Sequence, residues 1–179
     1  VTTIVGKMTP TKAHFGADSL VTADRKYTHP NMVKVVERGQ YIIAGAGESA
    51  ACDIIQHIWK PPTPITADKA DLYHFVISRV VPSMKDCFKH NEYKWDEKTD
   101  ETKFSFLIAI GGEIFDISSD FAVCIDSDGI YGIGSGSSLA IGALKAGASI
   151  KRALEIAADK DPYTAPPFLY YEQERWIKS

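Results

Sequence analysis

Apolar positions along this chain alternate between two periods, and the switches mark its elements. Residues 1–6, Val-Thr-Thr-Ile-Val-Gly, are mostly β-branched and predict a strand that opens the chain. A turn at 8–11 leads into a returning strand over 13–19, where Gly16, Ala17 and Ser19 leave room for a close neighbour and Asp18 sits among them. Residues 22–30 are polar and read as a loop. Residues 32–37 and 41–47 flank Arg38-Gly39-Gln40 and predict a hairpin, with Lys34 interrupting an otherwise apolar strand. From 48 to 60 the period becomes helical: Ala51, Ile54, Ile55, Ile58 and Trp59 share a face, and Pro61, Pro62 and Pro64 end the helix. A second helix runs from an N-cap at Asp68 to about His90, kinked or divided at Pro82.

Residues 91–103 are crowded with charge and read as a solvated loop, in which Tyr93 and Trp95 serve either a partner contact or local packing. Strands follow at 104–110, 113–117, 121–125 and 130–133, with Gly111-Gly112 and Asp128-Gly129 as turns. A helix over 139–146 ends at Gly147, and Ser149 caps another over 150–158. The tail from Asp161 is Pro-rich and then aromatic. Strands, two helices, strands, two helices: this order predicts an α+β fold, a four-layer α-β-β-α sandwich of two antiparallel sheets with helices outside both. Residues 1–179 form a single domain without a visible repeat.

Composition narrows the function. With 45% apolar and 24% charged residues the chain is typical of soluble globular proteins. A net charge of −3 and a pI near 6.0 argue against nucleic acid as a partner. No apolar run approaches the roughly 18 residues that cross a membrane, and the N-terminal residues lack a signal peptide's charged and apolar regions. Cys52, Cys87 and Cys124 fit neither a disulfide framework nor a zinc site, so they read as buried thiols in a reducing compartment.

Four features converge if the sheets stack with the first strand inside: Thr2, Asp18 sixteen residues on, Lys34 sixteen further, and Gly134-Ser135-Gly136-Ser137 before an Ala/Leu helix. Each has an ordinary reading: an edge strand, a structural ion pair, a lysine that snorkels to water, a helix start. Each also has a chemical one, since an α-amine beside a Thr hydroxyl can serve as the base for covalent catalysis.

This spacing resembles the proteasome β-subunits and their bacterial relative HslV, which are N-terminal-nucleophile hydrolases, and the likeness extends over nearly the whole chain. The resemblance implies the Ntn-hydrolase fold and a role for each matching position. Thr2 is the nucleophile. Lys34 sits against its hydroxyl, favouring the alkoxide and lowering the amine's pKa. Asp18 holds Lys34 charged and oriented. Ser135 hydrogen-bonds near the terminal amine, and Asp161 and Thr164 complete the network, Thr164 replacing a serine. The oxyanion-hole donor is the backbone N–H of Gly47 or of Glu48, with Gly47 favoured because an acidic side chain beside the hole opposes the developing charge. Backbone carbonyls of Ala158, Asp161 and Thr164 match a site for Na+ or another monovalent cation; no other cofactor is required.

Val1 departs from the pattern, because a threonine in peptide linkage has no free amine to accept a proton. Two readings follow. One is a threonine peptidase of a self-compartmentalised, HslV-like protease that cleaves unfolded polypeptide by acyl transfer to Thr2, held as a precursor by Val1. The alternative is a catalytically inactive structural or assembly protein on the same fold. The resemblance further implies homo-oligomeric rings, a ring-shaped ATPase unfoldase as partner, and a cytoplasmic location. The substrate pocket falls near Val21, Met32, Lys34 and Gly45-Ala46, whose small residues suggest a roomy site for large apolar side chains.

Overall fold

The computed structural model describes residues 2–22, 26–28, 33–95 and 103–176. Val1, Met32 and residues 96–102 of the charged stretch lie outside the described residues. The elements are β1 (Thr3–Met8), β2 (Lys12–Ala17), β3 (Leu20–Thr22), β4 (Lys26–Thr28), β5 (Val35–Arg38), β6 (Tyr41–Gly47), α1 (Ser49–Asp53), α2 (Thr66–Ala70), α3 (Leu72–Phe75) and α4 (Val81–His90). They continue with β7 (Phe104–Ile110), β8 (Glu113–Ser118), β9 (Val123–Cys124), β10 (Ile130–Gly134), α5 (Ser137–Lys145), α6 (Ile150–Lys160) and β11 (Leu169–Glu174).

Two antiparallel sheets stack face to face, one ordered β10-β1-β2-β11 and the other β5-β6-β7-β8-β9. Their inner faces meet in a core of Ile4, Phe15, Val35, Ile42, Leu107, Ile114 and neighbouring residues. Helices α1, α3 and α4, with Trp59 beyond α1, cover the outer face of the five-stranded sheet, where Trp59, Phe75, Met84 and Phe88 pack against Ile43, Phe106, Ile108 and Phe115. Helices α5 and α6 cover the outer face of the other sheet, where Ala140, Leu144, Ala153 and Leu154 pack on Val5. The fold is the expected α+β sandwich, and alternation along the strands explains it: β7 presents Phe106 and Ile108 to one layer and Leu107 and Ala109 to the other. Among the described residues no helix is long and apolar enough to cross a membrane.

Local departures have physical causes. Residues 54–58 and 76–80 are wide π-helical turns that prolong α1 and join α3 to α4. The second turn holds Ser78, whose carbonyl the ring of Pro82 would otherwise strike, so the proline is accommodated without dividing the helix. The N-cap of α2 is Ile65 rather than Asp68; Asp68 lies within the first turn and its Oδ2 accepts the Ile65 N–H at 2.9 Å. Ser149 caps α6 as expected, accepting from the Arg152 N–H at 3.2 Å. The expected strand at 121–125 shrinks to two residues because Phe121 takes a positive φ of 64°.

Two pieces of β-structure escape the sequence pattern: the β3–β4 ribbon, whose second strand falls within the stretch read as a loop, and β11. The latter pairs along all of β2, from Leu169↔Ala17 to Glu174↔Lys12. Beyond it, the Arg175 N–H donates to the Thr11 carbonyl and the Trp176 N–H to the Gly111 carbonyl, stitching one sheet to the other. Tyr93 and Trp95 serve local packing: both lie against the outer core, with Tyr93 4.8 Å from the Phe88 ring. Cys52 and Cys87 are half-buried but Cys124 is exposed, against expectation, and all three are free.

Candidate active site

The site forms where one end of the sandwich brings five chain segments together. Thr2 precedes β1, and Thr3 pairs with Gly134 at the end of β10. Gly134 has a φ of +92°, and a Cβ there would collide with the Thr2 carbonyl. Only a glycine lets the β10 backbone pass this close to Thr2 and turn to present Ser135 and Gly136.

Asp18 follows β2 and is almost completely buried. Its Oδ1 accepts from Lys34 Nζ at 2.7 Å and from the Thr3 N–H at 2.8 Å. Its Oδ2 accepts from the N–H groups of Leu20 at 3.1 Å and Ala165 at 3.4 Å. Lys34 stands just before β5, not within a strand, and its ammonium also donates to the Leu20 carbonyl at 2.7 Å. The Lys34 and Asp18 side chains are 8% and 0% exposed, so the lysine is held inside by the carboxylate and does not snorkel. Burial lowers the Lys34 pKa from 10.5 and outweighs the upward pull of Asp18 and Asp161.

A second cluster lies on the other side of Thr3. Ser135 Oγ and Thr164 Oγ1 each donate to Asp161 Oδ2 at 2.6 Å, and the Tyr163 N–H donates to Oδ1 at 3.2 Å. Burial pushes the Asp161 carboxyl up, but these three donors outweigh it and hold the group below the usual 3.8. Thr2 itself is buried, with 8% exposure, and its hydroxyl has no hydrogen-bond partner among the described residues.

Geometry separates the two backbone N–H groups. The Glu48 N–H already donates to the Lys103 carbonyl at 2.8 Å. The Gly45 N–H donates to the Lys34 carbonyl at 3.0 Å, and two residues on, strand alternation points the Gly47 N–H to the same side. Gly47 also has a φ of +110°, and a Cβ there would strike the Lys103 carbonyl. The Glu48 carboxylate accepts from the Tyr93 hydroxyl at 2.8 Å.

The expected roominess of the pocket is not present at Gly45. A Cβ built there meets Cys52 Sγ and Phe106 at 3.0 Å, so the space is filled from within. Ala46 is buried between the sheets. Burial beside this strand pushes the Cys52 thiol up to about 12.

Two further residues of the site carry no distinctive pattern in the sequence. Gln56, 2% exposed in the first π-helical turn, donates Nε2 to the carbonyls of Lys34 at 2.8 Å and Ile43 at 3.2 Å. A glutamine at this helix position carries no sequence signal of that role. Thr3 has 0% exposure and joins both carboxylate clusters. The doublet Thr2-Thr3 was its only signal.

At the cation position that the resemblance implies, the donor set fits. The helical partner of the Ala158 carbonyl would be residue 162, a proline without an N–H. The Asp161 carbonyl accepts the Thr164 N–H at 3.2 Å and keeps its second lone pair.

Sequence comparison matches no family model and no curated protein. Structural comparison is different. BPH of Thiobacillus denitrificans in complex with Epoxomicin superposes with a TM-score of 0.76 at 19% identity, covering 98% of this chain and 100% of that one. Eukaryotic HslV from Trypanosoma brucei gives 0.63 at 18% identity, covering 97% and 99%. Anbu (ancestral beta-subunit) from Yersinia bercovieri gives 0.69 at 14% identity, covering 96% and 81%. At such identities the likeness is one of fold: the chain is built on the proteasome-β-subunit-like Ntn-hydrolase fold.

Proposed function

We propose that this protein is a threonine-type peptidase in which Thr2, once its α-amine is free, attacks peptide bonds of unfolded polypeptide. The observation that carries this reading is the buried Lys34–Asp18 pair, whose Asp18 oxygen also accepts the backbone N–H next to Thr2. Keeping an ammonium at 8% exposure is costly without use, and perturbed buried charges cluster at functional sites.

The proposed chemistry balances as follows. With the Val1–Thr2 bond cleaved, the α-amine takes the hydroxyl proton as Thr2 Oγ1 bonds to the scissile carbonyl carbon. The carbonyl π pair moves onto oxygen, where the Gly47 N–H is the donor. Collapse breaks the C–N bond, the leaving amine takes the proton, and an ester remains on Thr2. Water then attacks the ester, gives its proton to the α-amine, and releases the carboxylic product with the hydroxyl restored. Lys34 contributes its charge, which favours ionised Oγ1 and a neutral α-amine. A monovalent cation held by the carbonyls of Ala158, Asp161 and Thr164 would add positive charge beside Asp161.

Homo-oligomeric rings are the proposed assembly, a ring-shaped ATPase unfoldase the proposed partner, and the cytoplasm the proposed location. Full-length likeness to HslV supports the assembly. So do Ile58, Ile65, Tyr73 and Ile77, large apolar side chains exposed on the outer helical layer.

The test is hydrolysis of fluorogenic peptides by the chain as it reads and by a form beginning at Thr2, each beside its Thr2→Ala control. Activity in the Thr2-initiated form, lost in its control, together with a covalent adduct when challenged with epoxomicin, supports the peptidase. Inactivity of both folded, assembled forms without an adduct overturns it in favour of a structural or assembly protein.

A further inference from the structure

Thr3 is engaged at both ends. Its N–H donates to Asp18 Oδ1 at 2.8 Å, in the cluster that holds Lys34. Its hydroxyl lies 2.5 Å from Thr164 Oγ1, in the cluster that holds Ser135 and Asp161. The direction of that last bond follows from proton counting. Thr164 has one hydroxyl proton, and it goes to Asp161 Oδ2, which as a carboxylate only accepts. Thr3 is therefore the donor to Thr164. Its oxygen in turn accepts the Gly136 N–H at 3.0 Å. The result is a directed chain, Gly136 N–H to Thr3 to Thr164 to Asp161, with each hydroxyl strengthened as a donor by the bond it accepts.

The surroundings show that this arrangement is specific to a hydroxyl. Ile4 and Val5, the next residues of β1, are fully buried and apolar, as packing alone would ask at position 3. A hydroxyl with 0% exposure is costly there unless bonded, and Thr3 is bonded as donor and as acceptor. A Cβ at Gly136 would strike Thr3 Oγ1 and lie 2.7 Å from Thr164 Oγ1 and 2.9 Å from Asp161 Oδ2, so the turn leaves space only for these three oxygens.

We propose that Thr3 is the positioning residue of the site: through its N–H and its hydroxyl it ties the Asp18–Lys34 and Asp161–Ser135–Thr164 clusters into one unit that fixes Thr2. This rests on the peptidase reading for its effect on rate, and on geometry alone for the coupling. A side chain that lost the hydroxyl but kept the shape would cut the Asp161 cluster from this unit without opening a cavity, leaving only the N–H bond to Asp18.

The experiment compares Thr3→Val, which keeps the β-branch, with Thr3→Ser, which keeps the hydroxyl, in the Thr2-initiated chain. Assembly and thermal stability are measured for each. In Thr3→Val, kcat is expected to fall roughly tenfold, the effect of one buried hydrogen bond, with KM changed less than about twofold; Thr3→Ser restores kcat. Independently of activity, amide hydrogen exchange is followed at Gly136 and Tyr163, whose N–H groups donate to Thr3 Oγ1 and Asp161 Oδ1, and at Leu20, whose N–H donates to Asp18 Oδ2. Exchange at all three is expected to quicken in Thr3→Val and to return in Thr3→Ser. A parent no more active than its Thr2→Ala control refutes the peptidase reading, and the exchange rates then decide the coupling. Unchanged exchange at Leu20 in Thr3→Val, or equal effects of both substitutions, overturns the role of Thr3.

Discussion

Asp18→Asn is the most informative single perturbation of this site. Four donors converge on the Asp18 carboxylate: Lys34 Nζ at 2.7 Å, the Thr3 N–H at 2.8 Å, the Leu20 N–H at 3.1 Å and the Ala165 N–H at 3.4 Å. Asparagine has the same shape but a single acceptor oxygen. Whichever way its amide turns, the NH2 faces two of those donors, and the buried ammonium loses its counter-charge. Removing one partner of a buried pair costs about 3–5 kcal/mol. In a domain of this size about 1 kcal/mol corresponds to roughly 2–4 °C, so the melting temperature is expected to fall by roughly 6–20 °C. Differential scanning calorimetry at neutral pH measures the drop, and urea denaturation gives the free energy. Adding Lys34→Met removes the stranded charge, and the double variant is expected to recover a large part of the loss. A drop of less than about 2 °C, or a double variant less stable than Asp18→Asn alone, would refute the reasoning that this pair is a coupled buried unit.

Three further outcomes are expected. Lys34 has its pKa lowered from 10.5 by burial, so between its folded value and 10.5 the unfolded chain binds more protons, and its contribution makes stability rise with pH in that window; Lys34→Met should flatten this rise in alkaline denaturation series. Asp161 is held below 3.8, so its contribution is present above that pH and lost as pH falls through the depressed value; Asp161→Asn should reduce the loss seen in acid titration of the fold. Gln56→Leu removes the Nε2 bonds to the Lys34 and Ile43 carbonyls, and should cost about 1–3 kcal/mol in urea denaturation.

The layers of this protein were legible because each buried face imposes a period. The Ala51-Ile54-Ile55 stripe and the alternation in 104–110 can satisfy themselves only as a covering helix and a strand buried on both faces. Thr2, Asp18, Lys34 and Ser135 were legible as a spacing. By contrast, β11 alternates between exposed and half-buried residues and so has no apolar face to read. Its existence depends on an unpaired edge of β2. The helix cap at Ile65 and the strand lost to the positive φ of Phe121 were decided by local hydrogen bonds and dihedrals that residue type does not specify. The same holds at the site. That Glu48 has no free N–H depends on Lys103, fifty-five residues away. That the space beside Gly45 is closed depends on Cys52 and Phe106. That Thr3 carries the bond between the two carboxylates depends on which way β1 faces. The sequence by itself determined the layers and the candidate polar groups, because burial and period are local. Tertiary structure decided which atoms meet, because hydrogen bonds are directional and their partners come from distant segments.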